Sequence, residues 1–463
     1  MLVDDLRPLL GCYGRSAAKT PNLDRLAASG VTFERQIAQQ PICMASRASL
    51  MTGRCPDRDR IYSCEPLCDL VPDALTLNRH AAAHGYATPA AGKVYHFSRD
   101  NTDQFGAGYA EPAHRAIGRG YVNPEARDAI EANSEHRQSQ GYPPETLITG
   151  RGNCTEVGEC DERDYADGAM SVWAVDQVRH HAGTNDPFML TLGWRKPHLP
   201  FAAPKPYWDL YSPDDFEFPE PDRIPRAAAK LSRYTFNELR NYLDVPDGEA
   251  PIDDALARRL IHGYHAAVSF VDAQIGRVLD ALDETGLAEN TVVVLAVDHG
   301  FQLREHGLWC KHTCFRESYH VPCIVRAPGV TPAGGRVRGL SENLDLFPTI
   351  CDLAGLPIPG DLDGQSRVGW LRDPYSGGSP AVFTLWPVRH RQDPDAAIIG
   401  YTVLTDAFRY TEWTRRARGE VLEAELFDLA ADPAETVNVV AEPSYQTARD
   451  ELSGRLAGRY PRD

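Results

Sequence analysis

The sequence predicts an α/β protein, a large mixed sheet flanked by helices and followed by a small C-terminal α+β domain. Three observations carry that expectation. Thr291 to Val297 is a β-branched, nearly continuous apolar run ending in Asp298-His299-Gly300, the pattern of a strand buried on both faces of a central sheet. Leu260, Tyr264, Val268, Val271, Ile275, Val278 and Leu282 recur at three- and four-residue steps, which marks a long amphipathic helix packed on that sheet. Gly360 to Pro380 is rich in Gly, Pro, Asp and Ser and separates the main body, residues 1–375, from a smaller unit, 376–463.

The remaining elements follow in chain order. Met1-Leu2-Val3 runs directly into Asp4-Asp5 and reads as the last residues of a strand. It has no basic segment, signal-peptide core or cleavage site. Two explanations stay open: the start lies upstream, together with any export signal, or the first strand is clipped. Thr20-Pro21-Asn22-Leu23-Asp24 offers an N-cap and a proline at the first helical position, and Gly30 a stop, predicting a short packing helix. Phe188 to Leu192, ahead of Lys196-Pro197-His198, and Ile324-Val325, after Pro322, read as further strands. Ligands of open α/β sheets bind beyond the carboxyl ends of the strands, where the polar clusters after Leu192 and Val297 fall.

From Phe97 to about Cys160 the chain is polar, rich in Gly and Pro and without a clear period, which predicts loops over the sheet edge that shape substrate entry. In the small unit, Ala397–Leu404, Phe408–Thr414 and Glu425–Asp428 read as short strands and Tyr445 to Leu456 as a helix.

Composition narrows the function. The chain has 463 residues, 42% hydrophobic and 24% charged, enough for a large core and a second unit. A net charge of −17 argues against a nucleic-acid or polyanion binder, which needs a basic contact face. An anionic substrate must then meet a local cationic pocket. No window reaches the about 18 apolar residues of a membrane-spanning helix. The 11 cysteines are an odd number, so at least one is unpaired within the chain; Cys154 and Cys160 bracket a short loop that a disulfide would close. The richness in Ala, Arg, Asp and Gly reads as bacterial, with a cytoplasmic or periplasmic location.

The chemistry concentrates in Pro41-Ile42-Cys43-Met44-Ala45-Ser46-Arg47-Ala48-Ser49-Leu50-Met51-Thr52-Gly53-Arg54. It sets a cysteine and, four residues on, an arginine at the mouth of a predicted helix, whose free N–H groups attract anions and lower a thiol pKa. A lone cysteine before a helix is more often structural. Asp4, Asp5 and Asp298 form a carboxylate set that repels itself unless a divalent cation neutralises it.

This stretch resembles the signature of the type I sulfatases, C-x-P-S-R or C-x-A-S-R followed by T-G-R. Further motifs of that family occur in order: Val3-Asp4-Asp5-Leu6-Arg7-Pro8, Gly92-Lys93-Val94-Tyr95-His96, Lys196-Pro197-His198, Asp298-His299-Gly300 and Glu305-His306-Gly307-Leu308-Trp309-Cys310-Lys311. Within the family the likeness is nearest to iduronate-2-sulfatases. The resemblance implies an alkaline-phosphatase-like fold and oxidation of Cys43 to formylglycine by a formylglycine-generating enzyme. Met44 and Ala45 depart from the commonest form of that enzyme's recognition sequence.

It also implies that Asp4, Asp5, Asp298, His299 and the modified Cys43 bind a metal. Ca²⁺ is expected, with Mn²⁺ as the alternative because His299 stands where asparagine is common in the family. Arg47 and the metal favour the alkoxide of the hydrated aldehyde, which attacks sulfur. His96 acts as the base that releases sulfate, and Lys93, His198 and Lys311 bind sulfate oxygens or assist the leaving group. Arg7 and Arg60 are candidates for a substrate carboxylate, or equally for structural ion pairs. The expected substrate is a sulfated uronate or related sugar. The rival readings are a phosphonate or phosphate ester hydrolase of the same superfamily, and a silent binder of sulfated glycans with Cys43 unconverted.

Overall fold

The computed structural model describes residues 1–461 apart from 16, 63, 106–107, 142–149, 185, 234–237, 249 and 390–396. Its centre is a mixed sheet of eight strands in the order Gly335–Glu342, Val31–Ile37, His320–Arg326, Val293–Val297, Leu2–Val3, Thr191–Trp194, Ala90–Gly92, Tyr109–Ala110. Leu2–Val3 pairs in parallel with Thr191–Trp194 on one side and Val293–Val297 on the other. His320–Arg326 is antiparallel to both Val293–Val297 and Val31–Ile37. Two antiparallel steps restore direction, so Val31–Ile37 points the same way as the parallel centre.

Side chains alternate across this sheet. Val3, Leu192, Trp194, Leu295 and Val297 pack against Leu260, Val268, Val271, Ile275 and Val278 of the long helix Asp254–Glu284. Leu2, Phe33, Ala90, Ala296 and Val325 face the opposite layer, with Met44, Ala48 and Met51 of helix Cys43–Thr52 and Phe347 of helix Leu346–Leu353. The central strands are thus covered on both faces, which is why Val293–Val297 is apolar without interruption.

The second sheet has four antiparallel strands, Val382–Arg389, Ile398–Leu404, Phe408–Arg415 and Glu420–Asp428, covered by helix Gln446–Arg459. Leu385, Ile399, Val403, Tyr410 and Leu426 form its core with Leu452 and Leu456.

Several expectations change. The strand expected at Phe188 to Leu192 lies at Thr191–Trp194, because its register follows Leu2–Val3 and Ala90–Gly92. The segment expected to be loops contains helices Ser98–Phe105 and Ala126–Ser139 and a strand, Thr155–Gly158, paired with Phe201–Pro204. Helix Ala126–Ser139 buries only Ala126 and Asn133, so it carries no apolar period to read. Helix Pro21–Ser29 forms as expected, but Thr20 does not cap it. Asp272 of the long helix does so, accepting the backbone N–H groups of Leu23 at 2.8 Å and Asn22 at 3.2 Å. Cys154 and Cys160 form no disulfide. The 11 cysteines are free, and the Cys154 thiol and backbone N–H both donate to Asp244.

Candidate active site

The site forms where strands of one direction end. Asp4 and Asp5 follow Leu2–Val3, Lys93 follows Ala90–Gly92, Lys196 and His198 follow Thr191–Trp194, Asp298 and His299 follow Val293–Val297, and Cys43 comes after Val31–Ile37. Parallel pairing aligns these ends, so residues far apart in sequence converge beyond one edge of the sheet. Lys311 enters from the hairpin of Gln302–Leu303 and Trp309–Cys310. Its neighbours Cys310 and His312 hold left-handed backbone at φ 70 and 73, as does Asp5 at φ 60. Non-glycine residues adopt this conformation at a cost, and such outliers gather at functional sites.

Cys43 opens helix Cys43–Thr52, whose N-cap Ile42 offers no capping side chain. Its buried sulfur lies 3.1 Å from His299 Nε2 and 3.5 Å from Lys311 Nζ. Burial alone would raise the thiol pKa, but Lys311, Lys93 and His299 outweigh it and hold the group well below the usual thiol range. The imidazoles of His96 and His198 also act on the Cys43 thiol. Burial depresses the pKa of His96, which keeps its imidazole neutral.

Arg47, one turn along the same helix, is fully buried. Its Nε donates to Asp298 Oδ2 at 2.9 Å, its Nη1 to the carbonyls of Lys93 and Val94, and its Nη2 lies 3.4 Å from Asp4 Oδ1. Lys93 Nζ donates to Asp4 Oδ2. Burial opposes ionisation of Asp4, yet Lys93 and Arg47 hold it well below the carboxylate range. Asp5 is pushed up by burial despite Lys311, whose Nζ sits 2.7 Å from Asp5 Oδ1. Burial likewise raises Asp298 to about 7 against His299 and Arg47. For His299 burial disfavours the cation, but Asp298 and Cys43 raise it to about 9.

Asp4, Asp5, Cys43 and His299 each bring a ligand atom within 4.8 Å of the others. Oδ1 of Asp4 and Oδ2 of Asp5 are buried and accept no hydrogen bond among the described residues. Two buried carboxylate oxygens that accept no hydrogen bond, beside an imidazole, suit a divalent cation. Asp298 stands behind this set, its Oδ1 accepting the N–H groups of Asp5 at 3.2 Å and His299 at 2.9 Å.

Among the other expected residues, His198 Nε2 lies 3.9 Å from Asp5 Oδ2. Arg7 donates to Glu305 Oε1 at 2.6 Å in a largely buried ion pair, the structural role left open beside carboxylate binding. Arg60 is exposed, with left-handed backbone at φ 53.

One residue joins the site without any sequence signal. Glu238 is buried, with its carboxylate 3.3 Å from Lys311 Nζ, 3.4 Å from His198 Nε2 and 3.2 Å from Arg151 Nη2.

Comparison with known proteins agrees with this geometry. The family described as Sulfatase matches residues 1–356, and N-sulphoglucosamine sulphohydrolase, C-terminal, matches residues 304–460. The chain is 28% identical to iduronate 2-sulfatase of Homo sapiens, covering 95% of this chain and 90% of that protein. It is 30% identical to a sulfatase of Formosa agariphila, covering 98% and 85%. Among solved structures, the phosphonate monoester hydrolase of Agrobacterium radiobacter superposes with a TM-score of 0.77 at 23% identity, covering 99% of this chain and 95% of that one. A 2-O GAG sulfatase superposes at 0.74 and 21% identity, covering 99% and 91%. These likenesses show the alkaline-phosphatase-like fold. With the family match spanning most of its length, the chain belongs to the sulfatase family and is a sulfuric ester hydrolase.

Proposed function

We propose that the protein removes sulfate from a sulfated uronate or related sugar, with a formylglycine derived from Cys43 as nucleophile and Ca²⁺ as the bound ion. The observation that supports this reading most is the position of Cys43. It opens a helix, lies within reach of His299, Lys311, His96 and His198, and shares its surroundings with the carboxylate oxygens of Asp4 and Asp5 that accept no hydrogen bond.

When present, the hydrated aldehyde supplies a hydroxyl nucleophile and the divalent ion stabilises its negative charge. Asp4, Asp5, Asp298 and His299 would hold that ion; Mn²⁺ is the alternative, since an imidazole donor suits it better than calcium. Arg47 fixes Asp4 and Asp298 against the opening of its helix. Lys93 and Lys311 present ammonium groups to sulfate oxygens, and Lys311 and His198 stand ready to stabilise the departing alkoxide. Neutral His96 accepts the proton whose removal lets sulfate leave. Iduronate 2-sulfatase as a relative supports the choice of sugar.

The test is a side-by-side assay of the enzyme from its native host on uronate 2-O-sulfated disaccharides, an aryl sulfate and a phenyl phosphonate, with mass spectrometry of the peptide holding Cys43. Aldehyde at Cys43 and preferred release of sulfate from the disaccharide is the expected result. Preferred cleavage of the phosphonate would replace the reading with the ester hydrolase alternative. An unmodified thiol with sulfated sugar bound but not cleaved would replace it with the silent binder.

A further inference from the structure

The hairpin that brings Lys311 to the site carries a second cluster at its tip. His306 lies in the short 3-10 helix Glu305–Gly307, between Gln302–Leu303 and Trp309–Cys310, with its ring stacked on Phe315 at 4.2 Å. Glu317 follows in helix Arg316–Tyr319, and Glu435 comes from the chain after Glu420–Asp428, the last strand of the small sheet. One ligand atom from each of the three falls within 4.8 Å of the other two. His306 and Glu435 are each only 2% exposed, and both hold left-handed backbone at φ 55. Such strain persists where the surroundings enforce it, and it gathers at functional sites.

No direct bond joins these side chains. His306 Nδ1 and Glu317 Oε2 are buried and meet no hydrogen-bond partner among the described residues. Glu317 turns its other oxygen to Arg316 at 3.5 Å, and Glu435 gives Oε1 to Arg409 Nε. Buried polar atoms without partners are costly and uncommon. The wider charge balance also has room for a cation. The carboxylates of Glu305, Glu317, Glu425 and Glu435 face three guanidinium groups, those of Arg7, Arg316 and Arg409, one cation fewer than the anions. Burial lowers the pKa of His306, so its neutral ring adds no positive charge and keeps a lone pair to donate.

We propose that His306, Glu317 and Glu435 are the ligands of a second metal ion, Zn²⁺, which clamps the hairpin to the small sheet. One imidazole and two carboxylates match the nitrogen and oxygen donors that zinc accepts, at about 2.0–2.2 Å each. Two such bonds span at most ~4.2 Å, so small rotations of the glutamate side chains gather the three atoms onto one ion. Calcium would want six or more oxygens, and zinc binds donors of this kind more tightly than Mn²⁺ does. Glu317 is the ligand that reaches solvent, its side chain 10% exposed, so water completes a four-coordinate set. Because His306 and Lys311 lie on one hairpin, the ion fixes the strand that delivers Lys311 without touching the reacting atoms.

Zinc content tests this directly. The full chain is equilibrated with Zn²⁺, freed of loosely held metal by gel filtration and measured by plasma mass spectrometry beside His306→Gln, Glu435→Gln and the combined Asp4→Asn, Asp5→Asn variant. Both single variants are expected to hold one zinc equivalent fewer than the parent, whereas the aspartate variant keeps that equivalent. Equal zinc in the parent and both single variants would overturn the inference, as would loss of all zinc from the aspartate variant.

Crystals of the parent grown with Zn²⁺ guard against variants that fail to fold. An anomalous difference peak at the zinc edge, within bonding distance of His306, Glu317 and Glu435, is the expected result. Its absence there would overturn the inference and leave a bridging water between the three side chains. Neither readout depends on sulfatase turnover, so the outcome is separate from that of the proposed substrate and nucleophile.

Discussion

Glu238 Oε2 lies 3.3 Å from Lys311 Nζ, so the ammonium proposed to meet sulfate is already partly neutralised by a buried carboxylate. Burial works against the charge of Glu238, but Lys311, His198 and Arg151 outweigh it and hold the group well below the ordinary carboxylate range. Glu238→Gln removes that competing anion. Inorganic sulfate is expected to inhibit the variant about fivefold more tightly, a gain of ~1 kcal/mol. An inhibition constant equal to or weaker than that of the parent would show that Glu238 does not set the field at Lys311.

Cys43→Ala is expected to abolish sulfate release while costing about 1 kcal/mol of stability, the usual effect of a small buried substitution. Turnover and a denaturant melt measured on the same preparation check both halves. Near-normal release by this variant would remove Cys43 from the reaction.

Calcium should stabilise the folded protein through Asp4 and Asp5. An ion that binds only the native state adds about 2.7 kcal/mol at a hundred times its dissociation constant. A melting scan with and without Ca²⁺ is expected to show that shift in the parent and to lose it when Asp4→Asn and Asp5→Asn are combined. Equal shifts in both proteins would place the ion elsewhere, and a larger response to Mn²⁺ would change the metal.

His265 supplies a pH dependence remote from the reaction. Its Nδ1 donates to the carbonyl of Ile261 at 2.8 Å and its Nε2 is buried without a partner, so a second proton has nowhere to bond. Burial lowers its pKa from 6.5 to about 4. The unfolded chain then binds the proton first as pH falls. The contribution of this group is fully present above pH 6.5 and is lost progressively down to about pH 4, on the order of 3 kcal/mol at most. Denaturant midpoints of the parent should fall across that window more steeply than those of His265→Phe. Parallel pH profiles would refute the assignment.

In the small sheet, Arg409 is buried between Glu435, which accepts from its Nε, and Glu425 at 3.8 Å, with its guanidinium 4.3 Å from the Phe427 ring. Removing the cation strands two buried carboxylates. Arg409→Met should destabilise the protein by about 3–5 kcal/mol, read as a lowered denaturant midpoint. A loss below ~1 kcal/mol would mean that water reaches these carboxylates.

What could be read from the sequence depended on local pattern. Asp4-Asp5 and Asp298-His299 sit directly after apolar runs, so their place at strand ends was evident before any pairing was known. Glu238 gave no such sign: it lies in a short 3-10 helix, Glu238–Asn241, outside any regular element of the main sheet, and only tertiary packing brings it to Lys311. Helix Ala126–Ser139 was hidden because it exposes nearly all of its length. Strand Val382–Arg389 was hidden by Pro387 and by the glycine-rich stretch before it; as an edge strand it tolerates a residue that cannot donate to the ladder. Arg47 was recognised by its motif, but its full engagement with Asp298, Asp4 and the Lys93 carbonyl required the fold.

The separation of 256 residues between Cys43 and His299 has a meaning in time. At the usual 5–20 residues per second of synthesis, about 13 to 51 s pass between the appearance of the cysteine and that of the histidine that closes over it. Throughout that interval the central sheet lacks Val293–Val297, and the thiol has no finished pocket to enter. Under the proposed conversion of Cys43 to formylglycine, the modifying enzyme would meet an accessible peptide during this interval and a sealed interior afterwards, so the order of translation, modification and closure would decide whether a given molecule becomes active.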